Sequence, residues 1–343
     1  PGTVSVKAVV SALGESLSKG FYLLDLQGDG NPQSSDGIFV YLSDKQFASK
    51  YPDIQPGAQV CLEAKVEEYH GHTQLKPLFD GSAPRLAVLA QGDAPAATAL
   101  RVLEGETLAR ALERHEGMRV RLDGDSALKV SRNFSYDYAA KRNNLVLSHG
   151  APLMKPTQLH VAGSQEANTL AEANAGNRVF LESDFKAANG KLPWLPAWEP
   201  EQGYLRIGDA PVNLEALVGY SYDEYRLIVP KDQRITAGDL LRTDENDRQG
   251  APARAHGTDL RIGSFNVLNY FTSHSSVGGA LNVLCADQAD ADSAKGCNRG
   301  AKSLEEFQLQ RTKIVNAITE MDADLLGLME MENNGFDEHA ALS

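Results

Sequence analysis

The sequence predicts a multidomain fold in which two N-terminal β-rich domains precede the truncated start of a layered α/β domain. The chain has 343 residues, which exceeds the size of one ordinary hydrophobic core. Short segments with alternating apolar residues fill the first two thirds, and a strand–helix–strand pattern follows. We expect a barrel at 1–80, a linker at 81–99, a second β-rich domain at 100–231, a linker at 232–257 and the α/β domain at 258–343.

The first 80 residues contain five short strand signals. The clearest is Gln59–Tyr69, in which apolar and polar residues alternate with the period of two that indicates a half-buried strand. The other four segments are VSVKAVV, FYLLDL, GIFVYL and HTQLKPL. So many short strands in so short a stretch predict a small closed barrel, of which the oligonucleotide/oligosaccharide-binding (OB) barrel is the commonest design.

The second β-rich domain is predicted from six further strand signals separated by long polar loops. The signals are MRVRL, ALKVS, NLVLS, RVFLE, YLRIG and YRLIV. A helical piece, LEGETLARALERHEG, lies within the same region, which we interpret as a barrel or a sandwich. The segment before it is rich in Ala and Pro, and the segment after it is polar and turn-rich, as is typical of linkers.

From residue 258 the pattern becomes that of a layered α/β domain. DLRIGSFNVLNYF reads as a nearly continuous apolar strand that is interrupted by Asn266. SLEEFQLQRTKIVNAITEM is predicted to be a helix, with Ser303 as its N-cap and Glu306 at the capping-box position. ADLLGLMEM follows as a second buried strand. The order strand, helix, strand is the start of a layered α/β domain.

Asn266 and Glu330 are the candidate catalytic and metal-ligating residues. Each lies at the carboxyl end of an apolar strand, where layered α/β sheets place their ligand sites. A satisfied structural amide and a surface carboxylate are the alternatives for the two residues taken singly. Together, an amide oxygen and a carboxylate suit Mg²⁺ or Mn²⁺ that holds a phosphate.

The same segments carry a resemblance to a known family. RIGSFNVLNYF, followed by RGAKSLEEFQLQRTKIVNAITEMDADLLGLMEMENNGF, resembles the opening of the endonuclease/exonuclease/phosphatase superfamily, and within it the large secreted bacterial deoxyribonucleases. Upstream, GFYLLDLQGDGNPQSSDGIFVYL resembles their N-terminal OB-type domain, and HEGMRVRL with KPTQLHV resembles their middle region. The resemblance implies a secreted enzyme that hydrolyses DNA phosphodiester bonds with a divalent metal ion. Another phosphoesterase of the superfamily, acting on lipid head groups or nucleotides, is the closest alternative.

The resemblance also implies roles for individual residues. Glu330 would be the metal-ligating carboxylate, and Asn266 the amide that positions the metal or the scissile phosphate. Glu332 matches the family motif without a direct role. The chain departs from the family pattern at Leu309, where an arginine is usual, and at Asn298. The family's catalytic histidine, Gly-Asp-x-Asn strand end and Asp-His do not follow, so we expect a fragment that is inactive alone.

Charge and cysteine content bound the function further. The net charge of -13 argues against tight DNA binding through a broad basic face, although bound cations can supply positive charge at a phosphate. No apolar run reaches the roughly 18–20 residues that a membrane span needs. Cys285 and Cys297 lie close together in a loop-like stretch. A disulfide between them would suit an oxidising compartment and hence secretion, and two free surface thiols are the alternative.

The first barrel offers two further features. Asp25, Asp29 and Asp36 partly match a Ca²⁺-binding loop, but their flanks are strands, so a solvated turn is favoured over a Ca²⁺ site. Four aromatic side chains offer surfaces for stacking single-stranded bases, although basic residues are sparse. They are Tyr22, Phe39, Tyr41 and Tyr69. The alternative function from another class is therefore a non-catalytic module that binds nucleic acid or polysaccharide.

Overall fold

The described part of the chain is rich in β-strands and contains few helices. The computed structural model describes residues 2–14, 18–44, 46–188, 191–196, 205–242, 256–272, 300–301 and 304–333. The chain divides into two compact units, Pro1–Asp244 and Glu245–Ser343. Among the described helices, none combines the length and the apolar character that crossing a membrane requires.

The strands have the following bounds. The first group is β1 (Thr3–Gly14), β2 (Gly20–Leu24), β3 (Gly37–Tyr41), β4 (Gln59–Tyr69), β5 (His72–Pro77), β6 (Phe79–Asp80), β7 (Ala83–Pro84) and β8 (Leu86–Ala90). The second group is β9 (Thr98–Ala99), β10 (Arg119–Leu122), β11 (Leu128–Asp137), β12 (Arg142–His149), β13 (Val179–Ser183), β14 (Ala210–Pro211), β15 (Leu214–Ser221), β16 (Glu224–Val229) and β17 (Leu240–Leu241). The last two strands are β18 (Ile262–Tyr270) and β19 (Leu325–Met331).

The helices are short except for the last. They are α1 (Phe47–Lys50), α2 (Leu108–Glu113), α3 (Pro156–Leu159), α4 (Gln165–Gly176) and α5 (Leu304–Met321), with 3₁₀ turns at Gly124–Ser126 and Ala237–Asp239.

Strands β1 to β5 close into a five-stranded barrel, as the sequence predicts. The first half of β1 is antiparallel to β4 and its second half is antiparallel to β2, while β3 pairs with β5 in parallel to complete the ring. A register shift between Val10 and Ala12 lets β1 bend from one partner to the other. The interior is filled by fully buried side chains such as Phe21, Phe47 and Leu62.

The segment 81–99, expected as a linker, contains strand β8, which pairs with β4. Leu86 and Val88 pack against the barrel core, so a short alternation is present that the surrounding Ala and Pro residues obscure. Cys61 of β4 is a free and partly exposed cysteine. Its neighbours Val60 and Leu62 take the inward positions of that strand instead.

A seven-stranded mixed sheet with the order β11-β12-β13-β16-β15-β10-β9 completes the first unit. One face carries a large apolar core that includes Trp194, which is 1% exposed. Five of the six predicted strands of this region form, whereas the segment predicted from YLRIG does not: residues 205–208 lie in a loop and turn. Strand β15 and helix α4 were not predicted. Strand β15 is largely buried, and a continuous apolar run does not distinguish a strand from a helix.

The barrel and the sheet pack against each other within this unit. Tyr22 and Phe39 of the barrel, with Ala12, form a buried cluster with Leu217 of β15. The two aromatic rings are 1% and 4% exposed, so they are packing residues rather than open stacking surfaces for bases. Polar contacts reinforce the junction, because the Thr73 N–H donates to Glu116 Oε1 at 2.9 Å.

The second unit contains a strand–helix–strand arrangement. β18 and β19 are parallel neighbours, and α5 lies between them along the chain. We expected both strands to be buried, and this is wrong for one face of the pair: Ile262 is 70%, Leu325 56% and Met329 45% exposed. The alternate positions are partly buried, since α5 packs against β18. Cys285, Cys297, Asn298 and Ser303 lie outside the described residues.

Candidate functional site

Asn266 and Glu330, the two residues selected from the sequence, lie side by side on the parallel strands β18 and β19. Glu330 is next to the last residue of β19, as predicted, whereas Asn266 lies in the middle of β18, which continues past a bulge to Tyr270. The parallel register places Asn266 opposite Met329, the residue before Glu330. The amide Nδ2 of Asn266 donates a hydrogen bond of 2.8 Å to Glu330 Oε1. The structure therefore brings together two side chains that are 64 residues apart along the chain.

A bulge in β18 follows Asn266 directly. The pairing with β19 shifts between Asn266 and Tyr270, and Leu268 and Asn269 have left-handed φ angles of 57° and 55°. Asn266 Oδ1 accepts from the Leu268 N–H at 2.9 Å, and Gln310 of α5 donates to the Leu268 carbonyl at 2.8 Å. Bulges and left-handed residues are concentrated near functional sites, where they redirect side chains. The bulge here fixes the direction of the Asn266 amide.

The Glu330 carboxylate is oriented and open to solvent. Its backbone is left-handed, with φ 64°, and its side chain is exposed. Asn266 holds Oε1, whereas Oε2 has no hydrogen-bond partner among the described residues. A carboxylate with one oxygen fixed and the other accessible is a suitable ligand for a hard cation.

The donor set fits Mg²⁺ or Mn²⁺ held by a single carboxylate. Mg²⁺ keeps several waters and takes one or two protein carboxylates together with substrate phosphate oxygens, so a full protein cage is unnecessary. In the described part of the chain, no three His, Cys, Asp or Glu side chains converge to hold a metal. The Asn266 oxygen is engaged by the Leu268 N–H, so the amide is placed to orient Glu330.

Glu332 has a structural contact in the same region. Its Oε2 accepts from the Thr272 N–H at 2.8 Å, and its own N–H donates to the Tyr270 carbonyl at 3.1 Å. These bonds join the chain after β18 to the end of β19. The Tyr270 ring stacks on Phe307 of α5, with 5.2 Å between ring centroids, and burial raises the pKa of Tyr270. The contacts of Glu332 and Tyr270 thus join the ends of β18 and β19 to each other and to α5.

Sequence reasoning missed Gln310, which anchors the bulge. Its Nε2 bonds the Leu268 carbonyl, and its Oε1 is buried without a partner among the described residues. In the sequence, Gln310 is one of several polar residues on an amphipathic helix. The one signal that could have identified Gln310 is its position on the partly buried side of α5.

The other candidates of the first barrel have local roles. Asp29 accepts from the Asn31 N–H and from Ser34 Oγ, each at 2.8 Å, and the first of these bonds lowers the pKa of Asp29. Such bonds are typical of a polar turn. His70 and Gly71 both have positive φ and form a two-residue hairpin turn between β4 and β5. Burial lowers the pKa of His72 to about 4, so this ring is neutral at pH 7.

Comparisons with protein-family models, with curated proteins and with solved structures find no match to this chain.

Proposed function

We propose that the chain belongs to an extracellular, divalent-metal-dependent endonuclease that hydrolyses DNA phosphodiester bonds. The observation that supports this proposal is the 2.8 Å contact between Asn266, which precedes a bulge in β18, and Glu330, near the carboxyl end of the parallel strand β19. Secretion is proposed on the grounds of the Cys285 and Cys297 pair. The five-stranded barrel is proposed to be OB-like, and DNA is the proposed partner.

The chain's own residues would act by positioning. Glu330 would hold Mg²⁺ or Mn²⁺ through its accessible oxygen, and Asn266 keeps that carboxylate in one orientation. The bound ion would polarise the scissile phosphate and stabilise the charge that develops on it. Gln310 and the bulge keep the amide in place, which matters because misplacement of about 1 Å can cost about 100-fold in rate. The proton-transfer groups are proposed to lie outside the described residues.

Metal binding tests the proposal without relying on activity. Mn²⁺ is titrated into the ¹⁵N-labelled chain, and line broadening of amide resonances is followed. Broadening should centre on Glu330 and disappear in Glu330→Gln, because the amide side chain removes the charge that attracts the ion. Glu320→Gln, an exposed carboxylate of α5, is the matched control and should broaden as the wild type does. Equal broadening in wild type and Glu330→Gln would contradict the metal assignment.

Cleavage is measured on the gene product that includes whatever coding sequence follows Ser343. Relaxation of supercoiled plasmid with Mg²⁺ should be nearly abolished by Glu330→Gln. Asn266→Ala should reduce it by about 10–100-fold, the usual cost of losing a group that orients a metal ligand. Competition by a small phosphodiester separates a deoxyribonuclease from another phosphoesterase. Full plasmid cleavage by Glu330→Gln would refute the proposal.

A further inference from the structure

The face of the seven-stranded sheet opposite its core carries a cluster of arginines. Arg132 of β11, Phe180 of β13 and Arg226 of β16 lie in one register row across the sheet. Glu182, with a side chain only 2% exposed, accepts from Arg142 Nη1 at 2.6 Å and from Arg226 Nη1 at 2.9 Å. Arg142 and Arg226 therefore share one carboxylate, and Arg132 adds a third cation. These four side chains carry two net positive charges in a chain whose overall charge is -13.

Two guanidinium donors on this face have no acceptor. Arg132 Nε and Arg142 Nε are both buried without a hydrogen-bond partner among the described residues. Arg132 forms no ion pair there, and its Nη2 donates to the neutral side chain of Asn144. Burial, and then the nearby charge of Arg178, lowers the pKa of Arg132. A buried charged donor without an acceptor is costly, so the positive charge of these arginines is incompletely compensated by the surrounding protein groups.

Aromatic rings accompany the charges. The Arg132 and Arg226 guanidinium carbons lie 5.3 Å and 5.0 Å from the centroid of the Phe180 ring. Arg226 also lies 5.9 Å from the centroid of the Tyr222 ring, and Tyr222 is 83% exposed. Arginine next to an accessible aromatic ring is a combination that binds single-stranded nucleic acid.

A cavity of about 500 Å³ opens between this face and the barrel. Its lining includes Arg142, Arg226, Tyr41, Tyr69, Tyr220 and Tyr222. We call this cavity, together with the adjoining Arg132, the barrel–sheet groove. Tyr69 and Tyr222 are 61% and 83% exposed, so their rings are available to a ligand from solvent. The volume lies within the roughly 300–1,000 Å³ of ordinary ligand sites.

We propose that the barrel–sheet groove binds a single-stranded polynucleotide. Phosphate oxygens would accept from the guanidinium groups of Arg142 and Arg226, which line the cavity, and of Arg132, which shares the Phe180 ring with Arg226, and bases would stack on Tyr69 and Tyr222. A neutral polysaccharide would leave the positive charge unmatched, and a duplex keeps its bases stacked on each other. This proposal goes beyond the nuclease function because it needs no metal and uses neither Asn266 nor Glu330. It also differs from stacking on the barrel alone, since the sheet supplies the cations.

The test is fluorescence anisotropy with the full chain and a fluorescein-labelled oligothymidylate of about ten nucleotides, within the usual site sizes for single strands. EDTA is present, so that cleavage cannot contribute. Arg132→Gln removes a cation that has no carboxylate partner. Tyr222→Asn removes the exposed ring, and asparagine tolerates the left-handed φ of 53° at this position. Each should weaken binding about fivefold or more. Arg132→Gln should also reduce the slope of log affinity against log salt by about 0.7, the value for one lost phosphate contact.

Matched controls lie away from the groove. Arg110→Gln on the exposed side of α2 and Phe79→Ser on the barrel surface should each stay within about twofold of the wild type, because surface changes away from a site have small effects. Glu330→Gln should bind as the wild type does, so failure of the nuclease proposal does not affect this result.

Three results would overturn the proposal. The first is no binding by the wild type at low salt. The second is unchanged binding by both groove variants, with Arg132→Met, which keeps most of the side-chain length without the charge, as the replacement if Arg132→Gln does not fold. The third is equal competition by inorganic tripolyphosphate together with no effect of Tyr222→Asn, because the groove would then be an anion site without base stacking.

Discussion

Glu182→Gln tests whether one buried carboxylate stabilises the neighbouring arginines, Arg142 and Arg226. Glu182 is 1% exposed and accepts a hydrogen bond from each of Arg142 and Arg226. Glutamine has nearly the same shape but only one acceptor oxygen, and its NH₂ group would face a guanidinium donor. The substitution therefore breaks one hydrogen bond and removes the charge that separates two buried cations.

The expected cost follows from the burial of the group. A hydrogen bond to a charged partner contributes about 1.5–3 kcal/mol, and removing one partner of a buried ion pair costs about 3–5 kcal/mol. We therefore expect the free energy of unfolding to fall by about 3–5 kcal/mol, a large share of the roughly 5–15 kcal/mol that folded domains possess. With a urea dependence of about 1–3 kcal/mol per molar, the unfolding midpoint should fall by at least about 1 M.

The assay is equilibrium urea denaturation followed by tryptophan fluorescence, since Trp194 lies buried in the core of the same sheet. The control is Glu63→Gln, whose carboxylate is 46% exposed and pairs with Arg85 on the barrel surface. The control should unfold with the wild type. A Glu182→Gln midpoint equal to that of the wild type would refute the reasoning, because the arginines would then be held by packing alone.

Two further predictions concern the junction of barrel and sheet. Burial raises the pKa of Glu116 to about 7 from its ordinary 4.5, so its contribution to stability is complete below pH 4.5 and is lost as pH rises through about 7. The free energy of unfolding of wild type minus that of Glu116→Gln should therefore decrease over this range, and a flat difference in urea titrations would contradict it. In Gly71→Ala, the new Cβ would lie 2.7 Å from a ring carbon of Tyr220, whereas in Gly81→Ala it would meet open space. Both substitutions cost about 1–2 kcal/mol because both positions have positive φ, so the two variants differ in the contact with Tyr220. Gly71→Ala should therefore have a lower melting temperature than Gly81→Ala, and equal melting temperatures would argue against a tight junction.

The barrel could be predicted from sequence because its information is local. The alternation of Gln59–Tyr69 gave a strand with the same bounds as β4. The strands β18 and β19 also form as predicted, and Glu330 lies near the end of β19, although β18 continues four residues beyond Asn266. In each case the apolar pattern within a single segment was enough to locate the strand in the chain.

The cluster of Arg132, Arg142 and Arg226 could not be predicted, because Arg226 comes from a strand that is far along the chain from the other two. Arg132, Arg142 and Arg226 meet only through the strand order of the seven-stranded sheet. The overall charge of -13 indicated an acidic surface, but it is an average that conceals a local excess of positive charge. Gln310 was missed for a similar reason, since the carbonyl that it bonds belongs to a bulge that only the tertiary fold creates.

The way in which β1 closes the barrel determines the order of events during synthesis. Residues 3–9 pair with residues 59–65, so the seam between β1 and β4 cannot form until β4 has been made. At about 5–20 residues per second, that delay lasts several seconds. The β2–β3 hairpin is local and can fold early, whereas closing the seam requires a long and slow loop closure. If synthesis stops before residue 65 has been added, the nascent chain therefore exposes the unpaired apolar edge of β1 to other chains nearby.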